Sequence, residues 1–294
     1  MSNNKINIDK LLISIVIVLI SLAAIAVLFP FYNVLIISVA QYKDIAQNQL
    51  YLYPKAFDFS AYWYVLREKA FLNAFGVSVL VTILGVIWNM FLSTSAAYAL
   101  SKKDMPGRKV LLLIAIFTMY FSGGMIPYYL VIKQMHLVNN ILALVLPVGI
   151  NTYYMIIMKN YFSTIPPSLE ESAKVDGANP IYILLKIILP ISAPFMATFT
   201  LFYAVDRWNE WFNALLFISD TNKQPLQIFL RQLLIEFSNN LSSMAQSMSL
   251  SKRPVYQQSL QMSAIVISTV PIMIVYPFLQ KYFVKGIMVG AIKD

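Results

Sequence analysis

The sequence predicts an all-α polytopic membrane protein with six transmembrane helices, and three observations carry that expectation. Of 294 residues, 59% are apolar and only 12% are charged, about half the charged share of an ordinary soluble domain. So few charges cannot clothe a water-soluble surface, and so much apolar surface does not stay disordered. The second observation is where the charges fall. Six stretches of at least 19 residues hold no Asp, Glu, Lys or Arg: 11–42, 70–101, 110–132, 134–158, 187–205 and 254–280. A helix needs roughly 20 apolar residues to cross about 30 Å of hydrocarbon, so each stretch is a candidate span. The third is the absence of cysteine and the single histidine, His136, which exclude a disulfide framework, a thiolate nucleophile and any multi-histidine metal site. The chain is expected to hold no cofactor or metal of its own.

Taken in order, the first run follows Lys5 and Lys10, and its Ala24-Ile25-Ala26 imitates a signal-peptide cleavage site. Its apolar character continues through Leu35-Ile36-Ile37, so a retained anchor is expected, with residues 1–69 forming this helix and a first extracytoplasmic segment. The second run stops at Lys102 and Lys103, which with Arg108 and Lys109 crowd a short loop. By the positive-inside rule that loop is cytoplasmic. The third run is interrupted by Gly123-Gly124 and reaches the fourth through an outside turn carrying Lys133 and His136, where a solvated or capping role suits the histidine. Pro30, Pro147, Pro271 and Pro277 predict kinked or irregular spans. The fifth run carries Pro190 and Pro194, and its apolar pattern continues past Asp206 and Arg207 to about Ile218. An outside loop over 219–253 follows, helix-like and apolar from Leu226 to Ile235, then polar and exposed over 237–251. Lys281, Lys285 and Lys293 bring the end of the chain back inside, so both termini are expected in the cytoplasm. The net charge of +9 is spread along membrane flanks, and no basic patch supports a nucleic-acid partner.

Between the fourth and fifth runs lies a polar hairpin, residues 161–190. Ser168 followed by Glu171 reads as a capping box. Gly177 suits the left-handed residue that closes a helix, and Asn179 with Pro180 supplies an N-cap and a first-turn proline for a second helix running toward Pro190. Alone, this is a well-capped loop. Its spacing says more: Glu171-Ser172-Ala173, three residues, Gly177, nine residues, Ile187, one residue, Leu189-Pro190. That pattern resembles the EAA loop of the permease subunits of ABC importers, with Ser172 in place of an alanine, and Asp176-Gly177-Ala178 is similar to a triplet common in that family. Ala96-Ala97-Tyr98-Ala99-Leu100, Gly123-Gly124-Met125-Ile126-Pro127, Trp208-Asn209-Glu210-Trp211 and Tyr282-Phe283-Val284-Lys285-Gly286-Ile287 extend the resemblance over roughly 70–290 and point to the carbohydrate-uptake, maltose-permease-like group, LplC/YtcP branch.

The resemblance implies the type I importer permease fold over 70–290, in the bacterial cytoplasmic membrane. It implies a loop that docks on a cytoplasmic ATPase through Glu170, Glu171, Ser172, Ala173, Asp176, Gly177 and Ala178. The implied partners are a paralogous permease, two copies of that ATPase, an extracytoplasmic solute-binding protein reached by the 219–253 loop, a saccharide and membrane lipid. The chain has no Gly-x4-Gly-Lys-Ser/Thr phosphate loop, so ATP and Mg belong to the ATPase subunits and this chain is not itself an enzyme.

Asp206, Arg207 and Glu210 stand in an otherwise apolar fifth run, where ionisable groups are costly and usually functional. Positions 206 and 210 share a helical face and 207 reaches 210. One reading is a compensated cluster in which Arg207 neutralises a carboxylate. The other has Asn209 and Glu210, with Trp208 and Trp211, lining a sugar path or the seam with the second permease, since indole faces and carboxylates both suit a polyhydroxylated solute. An ion-coupled secondary transporter using Asp206 or Glu210 is the alternative function; it leaves the hairpin pattern unexplained. A membrane enzyme finds no nucleophile–base or metal constellation.

Overall fold

The computed structural model describes residues 2–41, 52–54, 56–244 and 254–291. Those residues are mostly helical and contain no β-strand. In chain order the helices are α1 (Ser2–Val39), α2 (Ser60–Arg67), α3 (Lys69–Ser101), α4 (Arg108–Tyr120), α5 (Met125–Gln134), α6 (Thr152–Phe162), α7 (Pro167–Val175), α8 (Pro180–Ile191, with one π turn at Leu184–Ile188), α9 (Ala193–Trp208), α10 (Phe212–Phe217), α11 (Leu226–Met244) and α12 (Pro254–Ala291).

By length and composition, three helical stretches can cross a membrane: Leu12–Val39, Lys69–Ser101 and Gln258–Val275. Two bent pairs raise the number to five, α4 with α5 at 118° and α8 with α9 at 90°. The bends fall where the sequence carries Gly123-Gly124 and the pair Pro190 and Pro194. The run 134–158 departs from expectation, because it forms no membrane-length helix among the described residues. It holds a 3-10 turn, Ile141–Leu144, an irregular stretch over 145–151, and α6. The reason is local: the Asn140 side chain accepts from the Leu142 N–H (3.0 Å) and the Asn151 side chain from the Tyr154 N–H (3.2 Å). Each amide starts a new helix instead of continuing the last, and Pro147 between them has no N–H to give. His136 ends α5 in the left-handed region (φ 56°).

The chain divides into two compact units, residues 1–68 with 230–270 and residues 69–229 with 271–294. In the first, Ser38 and Tyr62 share a hydrogen bond of 2.6 Å, tying the end of α1 to α2. The second holds the larger core, where α3, α6, α7, α8 and α9 meet around Ala97, Met158, Phe162, Ile183, Ile188 and Phe199. Buried Tyr203 of α9 shares a 2.6 Å hydrogen bond with Ser93 of α3 and accepts from the Asn151 N–H at 3.3 Å, so its hydroxyl is paired across helices. The 237–244 stretch, expected as loop, continues the helix α11 to Met244, and the remainder of that expected loop, 245–251, lies outside the described residues.

Candidate coupling hairpin and the polar cluster at the end of α9

The hairpin closes as its sequence predicts at one end and differently at the other. Gly177 has φ +80°, and the N–H groups of Gly177 and Ala178 donate to the carbonyls of Lys174 (3.0 Å) and Ala173 (2.9 Å). That double bond pattern is a Schellman motif, which needs a left-handed residue where the helix ends. Asn179 then accepts from the Tyr182 N–H at 2.8 Å, with Pro180 in the first turn of α8. The capping box is not formed. Pro166 occupies the N-cap and Pro167 the first turn, so Ser168 already lies within α7 and no side chain caps it; a proline there has its φ preset and no N–H in need of a partner. The Ser172 hydroxyl donates back to the Ser168 carbonyl at 2.9 Å.

The hairpin has an inner and an outer face. Ala173 is buried in the core and Ala178 is half-buried beside it, while Glu171, Ser172 and Asp176 are exposed. Three apolar side chains join them outside: Leu169, Ile181 and Val175, the last 87% exposed. Glu170 departs from the expected outward set. It is buried and forms an ion pair with Lys102 at the end of α3. Sequence reasoning missed this partner, because a lysine in one loop and a glutamate 68 positions later carry no spacing signal.

At the end of α9 the expected continuous helix breaks. α9 stops at Trp208, and α10 starts again at Phe212. The Glu210 carboxylate accepts from both the backbone and the side-chain amide of Asn213, each at 3.0 Å, and so anchors the start of α10. Arg207 is buried and points elsewhere: its guanidinium donates to the carbonyls of Leu144 and Val148, both at 3.1 Å. Among the described residues no ion pair joins Arg207 to Asp206 or Glu210, so of the two readings the neutralised cluster gives way to a set of backbone contacts. Asn89 donates to the carbonyls of Val148 (2.6 Å) and Gly149 (2.8 Å), and the Trp88 indole to that of Leu146 (3.3 Å).

The physical reason is the irregular stretch 145–151. Backbone outside a helix is tolerated at membrane depth only where protein groups satisfy it, and Trp88, Asn89 and Arg207 supply those donors. Arg207 reaches its carbonyls across α3 at Gly85, where an added Cβ would lie 2.6 Å from its Cδ. The remaining cluster residues divide by face. Trp208 is buried edge-on against Phe75 (5.7 Å between ring centroids), whereas Asp206, Asn209 and Trp211 are exposed. Tyr154 lies near the Asp206 carboxylate, and Tyr153, its ring 6.1 Å from that of Tyr154, is 58% exposed. No group of three or more potential metal ligands occurs among the described residues.

Residues 96–289 match the family "Binding-protein-dependent transport system inner membrane component". The chain is 43% identical over 270 residues to the polygalacturonan/rhamnogalacturonan transport system permease protein YtcP of Bacillus subtilis, covering 92% of this chain and 94% of that one. It is 44% identical to protein LplC of the same organism over 266 residues, covering 90% and 89%. Among solved structures it is similar to a bacterial ABC transporter involved in the import of the acidic polysaccharide alginate, with a TM-score of 0.85, 32% identity, and coverage of 94% of this chain and 97% of that one. This chain belongs to the binding-protein-dependent transport inner-membrane components, and is a permease of an ABC importer in the bacterial cytoplasmic membrane.

Proposed function

We propose that this chain is one half of the heteromeric membrane core of an ATP-driven importer of a saccharide or oligosaccharide. It works with a paralogous permease, two copies of a cytoplasmic ATPase that bind ATP and Mg, and an extracytoplasmic solute-binding protein. The observation that carries the reading is the hairpin. A short helix locked at Gly177 presents Glu171, Ser172, Asp176 and Val175 outward while Ala173 is packed into the core, which is the form of a rigid docking lever. Its far arm, α8, runs through a 90° elbow into α9, so displacement of the hairpin is passed to the helix that carries Asp206 and Arg207. Uronate-containing oligosaccharides are the first substrates to try, since YtcP is named for such polymers and the similar solved transporter for alginate.

In this reading residues 1–69 are the first span and external segment, 70–290 the permease core with coupling loop 161–190, and 219–253 an outside loop. There are six spans, 134–158 crossing as a broken segment, and both termini are cytoplasmic. The positive charges at Lys102, Lys103, Arg108 and Lys109 set the orientation. A cysteine at Gly107 is therefore expected to resist an impermeant thiol reagent in intact cells and one at Asn222 to react, in a chain with no native cysteine to confuse the result. Labelling at 107 from outside would overturn the orientation.

The exposed side of α9 belongs to the solute path or the permease seam. A charge facing lipid costs about 2.5 to 3.5 kcal/mol on insertion scales, so the face carrying Asp206 and Asn209 turns to water or protein, with Tyr153 and Trp211 beside it. Arg207 and Trp208 lie behind that face, and Glu210 shapes the break between α9 and α10. At the outer end, deletion of 238–250 is expected to lower stimulation of ATP hydrolysis by loaded binding protein severalfold with basal hydrolysis kept; an unchanged response would make the segment a linker. The function itself is tested by purifying the chain from native membrane: a complex containing an ATPase supports it, and a lone chain active in transport removes it.

A further inference from the structure

The outward face of the hairpin explains docking, but not how a push on it reaches the spans. Its inner face holds one charged contact. Glu170 of α7 is 9% exposed and forms an ion pair with the Lys102 ammonium. The same ammonium sits 4.1 Å from the centre of the Tyr98 ring, one turn earlier on α3. Tyr98 in turn meets Phe162, the last residue of α6, edge-on with 6.1 Å between centroids. One carboxylate thus ties the hairpin to the end of α3, through a cation that bridges it to an aromatic ring.

The environment fits a device that holds in one state and not a mere surface pair. Surface pairs of long side chains contribute little, but here both partners are largely covered, the lysine side chain at 28% exposure and the glutamate at 12%. The contact is also single in kind. The rest of the hairpin's inner face is apolar, through Ala173 and Ile165, and apolar contact slides where a directed, charge-assisted bond does not. α3 is moreover the helix that carries Gly85, Trp88 and Asn89, the groups holding the irregular 145–151 backbone and admitting Arg207. A hairpin latched to the end of α3 is therefore latched to the helix that positions the broken span.

We propose that Lys102, Glu170 and Tyr98 form a latch that transmits displacement of the coupling hairpin to α3, making Lys102 and Glu170 positioning residues for transport. This rests on the reading of the hairpin as the ATPase-docking loop. Glu171 and Asp176 receive the ATPase; Glu170, one residue away and turned inward, passes the movement on.

The test uses the whole importer, with its ATPase and binding protein, in proteoliposomes. The variants are Lys102→Met, Glu170→Gln and the charge exchange Lys102→Glu with Glu170→Lys. Each single variant is expected to assemble with the ATPase and keep basal hydrolysis, yet to lose uptake at least tenfold, raising the ATP spent per solute moved. The exchange is expected to recover most of the uptake. Wild-type uptake in both single variants would overturn the latch. So would loss of the ATPase from the single-variant complexes, because the pair would then only fold the loop. An exchange no better than its parents would also overturn it, since each residue would then act alone. Failure of the underlying reading is distinct: the unsubstituted chain would then not hold an ATPase at all.

Discussion

Valine at position 177 is expected to abolish uptake while leaving the chain at normal levels in the membrane. No atom crowds the place where the new Cβ would sit, so the penalty is one of backbone only. At φ +80° an L-residue is strained by about 1–2 kcal/mol, and a β-branched one by more. Relief comes by unwinding the turn, which breaks the two Schellman bonds and frees the angle between α7 and α8. Gly177→Asn is the matched control, since asparagine visits the left-handed region readily, and it should retain most of the uptake. Glu171→Ala should resemble the valine variant for a different reason: that side chain caps nothing within the chain, so its removal leaves the fold intact and takes away a docking charge. Uptake assays beside membrane immunoblots check all three, and wild-type transport by the valine and alanine variants would remove the coupling role of the hairpin.

Arg207→Met is expected to damage the fold as well as transport. Its removal strands the carbonyl of Leu144 in a region without bulk water, at a cost of about 1–3 kcal/mol, and leaves that of Val148 with only its bond from Asn89. Against the usual stability of about 5–15 kcal/mol for a domain, that is a large loss. The solubilised variant should therefore aggregate at a clearly lower temperature than the parent. Lysine offers one point charge in place of a fork and should recover only part of the difference. Gly85→Ala should give a related defect by blocking the arginine, and adding it to Arg207→Met should cost much less than it does alone, because the two share one contact. Full additivity would show that Gly85 does not serve the passage of Arg207.

How much of this the sequence carries depends on the range of the forces involved. The closing half of the hairpin is legible because Gly177, Asn179 and Pro180 act within one turn of themselves. Its opening half misleads for an equally local reason: Pro167 starts the helix before Ser168 can cap it. The charge-free run 134–158 reports that the segment is apolar, yet says nothing of whether its backbone is helical. Its break is set by Asn140 and Asn151, and is tolerated because Trp88, Asn89 and Arg207 bring donors from about 60 positions away. For the same reason spacing offers Arg207 only the acids three positions or fewer from it, as in one of the two readings, and not the carbonyls that only the fold brings near. A lone Asn89 in the middle of a charge-free run was the available clue, since a buried amide at that depth must find a partner. The elbow between α8 and α9 falls at Pro190 and Pro194, which in the sequence marked only an untidy fifth run, because proline spacing alone does not give an angle.

The central claim is that ATP hydrolysis by a separate subunit, delivered through the hairpin, drives solute inward through this chain. The most direct measurement reconstitutes the purified importer in proteoliposomes with loaded binding protein and a labelled oligosaccharide, and compares ATP with an imposed proton gradient as the energy source. Uptake that requires ATP on the hairpin side, persists when the proton gradient is collapsed, and disappears with Gly177→Val is the predicted result. Uptake driven by the proton gradient without the ATPase subunit, and lost on Asp206→Asn, would contradict it.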